Sequence, residues 1–504
     1  MAAVVPVVPA GPSASVERSR VERSKLRREL GRLDAVALLI AAIVVLDTVG
    51  TVARGGAQTI TWLAIVAMLF FVPAGLAVAE LGSTFPRQGG PYVWARLAFG
   101  RLVGSLVALV FFVEAPVWLG GSLAITVVAV TDKMIVPLRG GWRVVVALGF
   151  VWACAALTAL PLRAGKRIPL SGALAQVSLL GFVTATVALY AARHGVHGVA
   201  GGDLTPTWPV FVAVAPVLVY NFLGLGLPST AAEELRDPRR DVPAAIVRAG
   251  ALTCALYAVP VLAIVLVVPA EQITGLTGFI DALAGVFVVY GSWSPLVGAV
   301  TAAVFVWVLL TNGMAWIMGA ARTQVAASLD GVGPRVLGRV SARTGTPVWA
   351  AVVGGLIATA TVGTAFAVAG HDNAKYFSVV LALSLSLVTL ANLAVFPALV
   401  RLRRTHPDVP RPFRVPGGVA GAWIASGLAT GWLALALAAA LWPGLASAAR
   451  DAYLPPGFEG NRTGFLLTEL VLIVAVLATA AVFAWLSRRE DVAVTPMSPA
   501  REAA

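Results

Sequence analysis

The chain has 504 residues, 59% of them hydrophobic and only 12% charged, and its mean hydropathy is +0.88. That balance excludes an ordinary soluble domain and a disordered chain, because too few polar residues are present to cover a folded core in water. The formal net charge of +13 reads as membrane orientation rather than nucleic-acid binding, since the basic residues sort by side of the apolar runs.

In chain order, residues 1–33 form a basic tail containing SVERSRVERSKLRREL, read as orientation charge or as a contact with anionic lipid. The apolar segment after it is too long for a signal-peptide core. Apolar runs then recur at 34–54, 59–80, 101–130, 142–160, 169–192, 208–232, 243–268, 293–321, 347–368, 374–400, 418–442 and 464–486. Each reaches the roughly 20 residues needed to cross ~30 Å of hydrocarbon as a helix. None alternates apolar and polar residues as a barrel strand does. The expectation is an all-α polytopic membrane protein with about twelve transmembrane helices across residues 34–486 and a second tail at 487–504. With the N-terminus inside, 29 of the 37 Lys and Arg fall on the cytoplasmic side and 8 outside. Both termini are therefore expected in the cytoplasm of a cell with this chain in its plasma membrane.

Two runs are interrupted. The first reads LLIAAIVVLDTVGTVARGG, residues 38–56, and the sixth contains YNFLGLGLPST, residues 220–230, with Gly224, Gly226 and Pro228 in mid-run. Glycine disfavours a continuous helix and proline removes a donor. Unpaired backbone at membrane depth persists only inside protein or along a wet cavity. Two breaks five helices apart predict an inverted repeat of five plus five helices, at about 34–192 and 208–400, with the runs 418–442 and 464–486 outside it.

Charges in mid-run cost about 2.5–3.5 kcal/mol each on insertion scales, so they mark function. Asp47 in the first run and Glu114 in FFVEAPVW of the third are the two clear cases. Either holds the ammonium group of a substrate or takes up and releases a proton in each cycle. Glu80 and Glu469 lie nearer run ends, within reach of headgroups or water. Asn221 and Asn312, the latter in LLTNGMAW, can each donate and accept. Trp94, Trp142, Trp208 and Trp293 read as interface anchors. Cys154 and Cys254 fall inside runs, so neither a disulfide framework nor a thiolate metal cage is expected. No H-E-x-x-H, G-x-S-x-G or phosphate-cradling loop occurs, so an enzyme, a cofactor, a bound metal and direct ATP coupling are not expected. A channel is the remaining rival, without a repeated filter sequence.

Four stretches carry a resemblance: AELGSTFPRQGGPYVWARLAFG (79–100), AAEELRDPRRDVPAAI (231–246), GAARTQVAASLDGVGPRVLGRVSARTGTPVWA (319–350) and HPDVPRPFRVP (406–416). In order and spacing they resemble signatures of the amino acid, polyamine and organocation superfamily of transporters, over roughly residues 35–415. Asp237 stands where that superfamily usually has Asn before Pro, and DTVGT stands where many members have a Gly-Ser-Gly triplet. The resemblance implies a carrier of amino acids or amines, coupled to protons or to exchange. Its central site would lie between helices one, three, six, eight and ten. Carried over, it puts Asp47, Thr48, Val49, Gly50 and Thr51 at the first break, with Gly50 matching the last glycine of the triplet. At the sixth-helix break it puts Tyr220, Asn221, Phe222, Leu223 and Gly224, with Tyr220 as a gating aromatic. Glu114 and Asn312, read from their charge and polarity inside apolar runs, complete the candidate substrate set, and Asp47 resembles an acidic residue of polyamine transporters.

Overall fold

The computed structural model describes residues 21–23, 29–43, 46–161, 167–195, 201–267, 280, 283–368, 373–445, 454, 458 and 460–486. Most of the tail at 1–33 and all of the tail at 487–504 lie outside these residues. Among the described residues, twelve helices are long and apolar enough to cross a membrane. They are α1 (Arg32–Ala53), α2 (Gln58–Thr84), α3 (Arg101–Met134), α4 (Trp142–Ala159), α5 (Arg167–His194) and α6 (Trp208–Thr230). The second six are α7 (Pro238–Val267), α8 (Leu283–Leu329), α9 (Val348–Ala367), α10 (Val379–Thr405), α11 (Gly418–Leu441) and α12 (Arg462–Leu486). They correspond one for one to the twelve runs.

Both expected breaks are present. In α1 the helix Arg32–Ile43 gives way to a 3-10 turn, Leu46–Thr48, before helix resumes at Val49–Ala53. In α6 the helix Trp208–Asn221 passes into a 3-10 segment, Phe222–Gly226, and then one further turn, Leu227–Thr230. Pro228, with no N–H, cannot continue the ladder of the preceding segment. The two breaks meet: a Cβ on Gly224 would stand 2.9 Å from the backbone of Ala42, so only glycine lets the chains approach this closely. In the first break the unwinding is shorter than the DTVGT stretch, because Val49, Gly50 and Thr51 already form the first turn of the resumed helix.

Helices α1–α5 and α6–α10 thus form two sets that each open on a broken member, with α11 and α12 outside them. The broken helices are the most enclosed. In the apolar windows of α1 and α6, 88% and 83% of residues are buried, against 22% in α12.

Contacts between chain segments define one end of the bundle. A parallel bridge joins Leu30, ahead of α1, to Leu235, after α6, with Leu30 N–H donating to Glu234 O at 3.0 Å and Arg236 N–H to Leu30 O at 2.9 Å. The connections between α2 and α3, α6 and α7, α8 and α9, and α10 and α11 carry Arg87, Arg96, Arg236, Arg335, Arg339, Arg343, Arg411 and Arg414, and the helix ends beside them add Arg101, Arg239, Arg240, Arg401, Arg403 and Arg404; this is the basic end. Between α2 and α3 an additional helix, Gly90–Phe99, begins after Gly89, whose φ of 87° suits glycine.

Three sequence expectations need correction. Trp94 is fully buried on this additional helix, beneath Gly82, and is no interface anchor; Trp142, Trp208 and Trp293 are exposed. Glu80 does not reach headgroups or water, because Arg403 from α10 folds over it and pairs at 2.7 and 2.5 Å. Glu469 is likewise enclosed, because α12 turns that side of its surface toward α3 and α10.

Candidate functional site

Asp47 sits in the 3-10 turn of α1 and is 3% exposed. Its Oδ2 accepts a hydrogen bond from Ser122 Oγ on α3, while Oδ1 has no partner among the described residues. The turn that supplies Ser122 is itself irregular: after Pro116, α3 passes through a π-helical stretch, Leu119–Leu123, where two glycines let it pack closely. Glu114, 1% exposed and about two turns before Ser122 on α3, accepts from the Tyr220 hydroxyl at 3.1 Å through Oε1, and its Oε2 has no partner among the described residues. Tyr220 and Asn221 are the last residues of the helix Trp208–Asn221, where the α6 ladder ends.

A second set of bonds ties the breaks together. Thr48 Oγ1 donates to Asn221 Oδ1 at 3.2 Å, and Asn221 Nδ2 donates to the Tyr257 hydroxyl of α7 at 2.5 Å. From α8, Trp316 Nε1–H donates at 3.2 Å to Ala42 O, a carbonyl freed by the break in α1. Trp316 also meets Trp118 of α3 edge to face, ring centroids 6.0 Å apart. Asn312 lies one turn before Trp316 on the same face of α8. It is buried, and neither its Oδ1 nor its Nδ2 has a partner among the described residues.

The structure therefore brings Asp47, Thr48, Glu114, Tyr220 and Asn221 into one buried cluster. Phe222, Leu223 and Gly224 line its floor toward the basic end, where Phe222, Gly224, Trp316, Asn392 and Phe396 border a small cavity. Val49 and Gly50 are buried in the resumed helix, and Thr51 is half-buried there with its hydroxyl unpartnered among the described residues. Four members escaped the sequence reading: Ser122, Tyr257, Trp118 and Trp316. Trp118 and Trp316 follow Glu114 and Asn312 by one helical turn, a spacing that could have flagged them. No pattern around Tyr257 marks it.

The basic end treats its acids differently. Glu234, just past α6, forms a two-pronged pair with Arg322 of α8 at 2.7 Å on both oxygens, each side chain 1% exposed, and Gln88 Nε2 adds a bond at 3.0 Å. Asp330 at the end of α8 accepts from Arg23, Arg96 and Tyr92. Burial, and then the Asp330 carboxylate, raise the Tyr92 phenol well above its ordinary range, so it stays a neutral donor. These bonds link the segment before α1 to the ends of α6 and α8 and to the helix Gly90–Phe99. The cluster at the breaks is closed on this side.

The family profile described as "Amino acid permease" matches residues 30–487. The chain belongs to the amino acid permease family. Among curated relatives, a probable agmatine/putrescine antiporter of Lactococcus lactis is 26% identical over 78% of this chain and 83% of its own length. A branched-chain amino acid permease of Bacillus subtilis is 27% identical over 78% of this chain and 84% of its own. Among solved structures, that of a manganese transporter from Eremococcus coleocola, bound to an aromatic bis-isothiourea compound, superposes with a TM-score of 0.59. It covers 95% of this permease and 96% of its own chain at 14% identity, a likeness of fold. The permease is accordingly a multi-pass membrane protein built for secondary transport, and its family members are carriers rather than enzymes.

Proposed function

We propose that this permease moves amino acids or related amines by alternating access, with the ammonium group of the substrate held between Asp47 and Glu114 at the paired breaks. One observation carries the reading. Each acid is enclosed, has one oxygen bonded to a neutral hydroxyl, and keeps the other without a partner among the described residues. No basic side chain among the described residues pairs with either. An ammonium ion supplies both the charge and the donors that such a pair lacks. The agmatine/putrescine antiporter and the branched-chain amino acid permease among the relatives both handle substrates with such a group.

The unpartnered Asn312 amide supports an α-amino acid over a simple amine, because it offers donors to a carboxylate. The substrate would enter from the end opposite the basic one, and Tyr220 would close over it. Following the sorting of basic residues, the basic end faces the cytoplasm, and the repeats run at about 34–192 and 208–400. Coupling is to protons or to exchange, with Asp47 and Glu114 as proton carriers in the first case.

Competition against a labelled amino acid in proteoliposomes tests the reading. Inhibition by amino acids is expected. Inhibition by putrescine or spermidine but by no amino acid would replace the amino acid with an amine. Inhibition by neither class would remove the proposal. Cysteines placed at Arg240 and Asp203, exposed at opposite ends of the bundle, test orientation, since only the second should react with an impermeant reagent in intact cells.

A further inference from the structure

Helix α12 lies outside both five-helix sets and exposes more of its surface than any of the other spans, yet it carries an enclosed acid. Glu469 is 0% exposed, in a stripe with Phe465 and Ile473 that faces the bundle, while Leu467, Leu470, Val471 and Val474 are exposed on the other side. Neither of its oxygens has a hydrogen-bond partner among the described residues. A structural carboxyl would spend those oxygens on neighbours.

Its depth can be read from one contact. Ser105 Oγ near the start of α3 donates to Ala480 O near the end of α12 at 2.9 Å. Eleven residues along each helix from that bond, about 16 Å at 1.5 Å per residue, stand Pro116 on α3 and Glu469 on α12. Glu469 is thus level with Glu114, on the far side of α3 from the breaks. Helix α10 packs against both α3 and α12. Along it, Val380 stands against Gly121 and Asn392 shares a cavity with Phe111, so the residues between are level with Glu114 as well. Three of them, Ser384, Ser386 and Thr389, are buried with hydroxyls that have no partner among the described residues.

The charged groups around Glu469 are otherwise engaged or distant. On α3 these are Glu114, bonded to Tyr220, and Arg101, Asp132 and Lys133 near the helix ends. On α10 they are Arg401, Arg403 and Arg404 at the basic end, of which Arg401 bonds Ala98 O and Arg403 bonds Glu80. On α12 itself Arg462 donates to Pro443 O at 2.8 Å. With no cation to pair with among the described residues, the species that can balance this carboxylate is a proton.

We propose that Glu469 is a proton-exchange site of the permease, connected to Glu114 through the hydroxyl-bearing stretch of α10. In the transfer an O–H bond on the Glu469 carboxylic acid breaks and one forms on Glu114 Oε2. Glu469 becomes the carboxylate and Glu114 the acid, with charge conserved. The proposal rests on the carrier reading above and gives it a coupling ion.

Two measurements on the full chain in lipid separate the proposals. Infrared spectra of protonated carboxyl groups, stepped through pH and repeated in D2O, should contain a titrating component that is absent from Glu469→Gln and moved by Glu469→Asp. In proteoliposomes, an imposed pH gradient should stimulate uptake by the parent protein several-fold, and Glu469→Gln should lose that stimulation. An infrared spectrum unchanged by either substitution, or full stimulation retained in Glu469→Gln, would overturn the site. If Glu469→Gln fails to fold, the Glu469→Asp shift and the parent titration decide. If the parent protein transports no amino acid or amine, the carrier reading fails, and the infrared titration still decides the fate of Glu469.

Discussion

The centre of the bundle and its basic end each bury carboxylates, and they finish them in opposite ways. At the basic end Glu234, Glu80 and Asp330 are each matched by arginine, so charge is cancelled within the protein. At the centre Asp47 and Glu114 accept from the hydroxyls of Ser122 and Tyr220 and pair with no basic side chain among the described residues. Cancelled charge makes a latch, since breaking a buried pair strands its partner. Uncancelled charge makes a binding site, since a cation from outside gains what no internal group provides. The same residue type thus serves closure in one region and recognition in the other.

That contrast breaks first at Asp47. Asp47→Asn keeps the shape and the Ser122 contact but removes the charge, and uptake in proteoliposomes is expected to fall to background while yield and thermal unfolding stay near those of the parent. Normal uptake by this variant would assign Asp47 to structure. At the basic end the reverse holds: Arg322→Met should destabilise the fold by about 3–5 kcal/mol by stranding Glu234. Hydrogen exchange at the Leu30 and Arg236 amides should then accelerate. Adding Glu234→Leu should recover most of the loss, which a role in substrate binding would not predict.

Smaller effects sharpen the picture at the centre. Tyr220→Phe deletes one hydrogen bond to Glu114, a loss on the order of 1.4 kcal/mol, and should raise KM roughly tenfold for every accepted substrate. Asn312→Leu should weaken substrates that carry a carboxylate by a few-fold and leave simple amines unchanged. Equal effects on both classes would remove Asn312 from the carboxylate subsite.

Much of the fold is legible in the sequence because hydropathy is a local property. Twelve runs became twelve helices, and Gly224, Gly226 and Pro228 marked the α6 break through their own backbone chemistry. The acids Asp47 and Glu114 were legible for the same reason, being charges inside apolar runs. Their partners were not. Ser122 lies about two turns past Glu114, yet a lone serine in an apolar helix is not by itself marked as a partner, and nothing around Tyr257 distinguishes it from residues that face lipid.

Helices α1 and α12 mark the limit. Both are strongly apolar runs carrying an acid, and along the chain they look alike. Sequence determined that each crosses the membrane, because the cost of exposing backbone to hydrocarbon forces any such run into a helix whatever its neighbours. Tertiary structure alone decided that α1 is enclosed at the centre and α12 stands at the rim. It also decided that Asp47 meets Ser122 while Glu469 meets no partner among the described residues. Those outcomes depend on the depth and rotation of one helix against another, which are set by packing between segments hundreds of residues apart and leave no local trace in the order of residues.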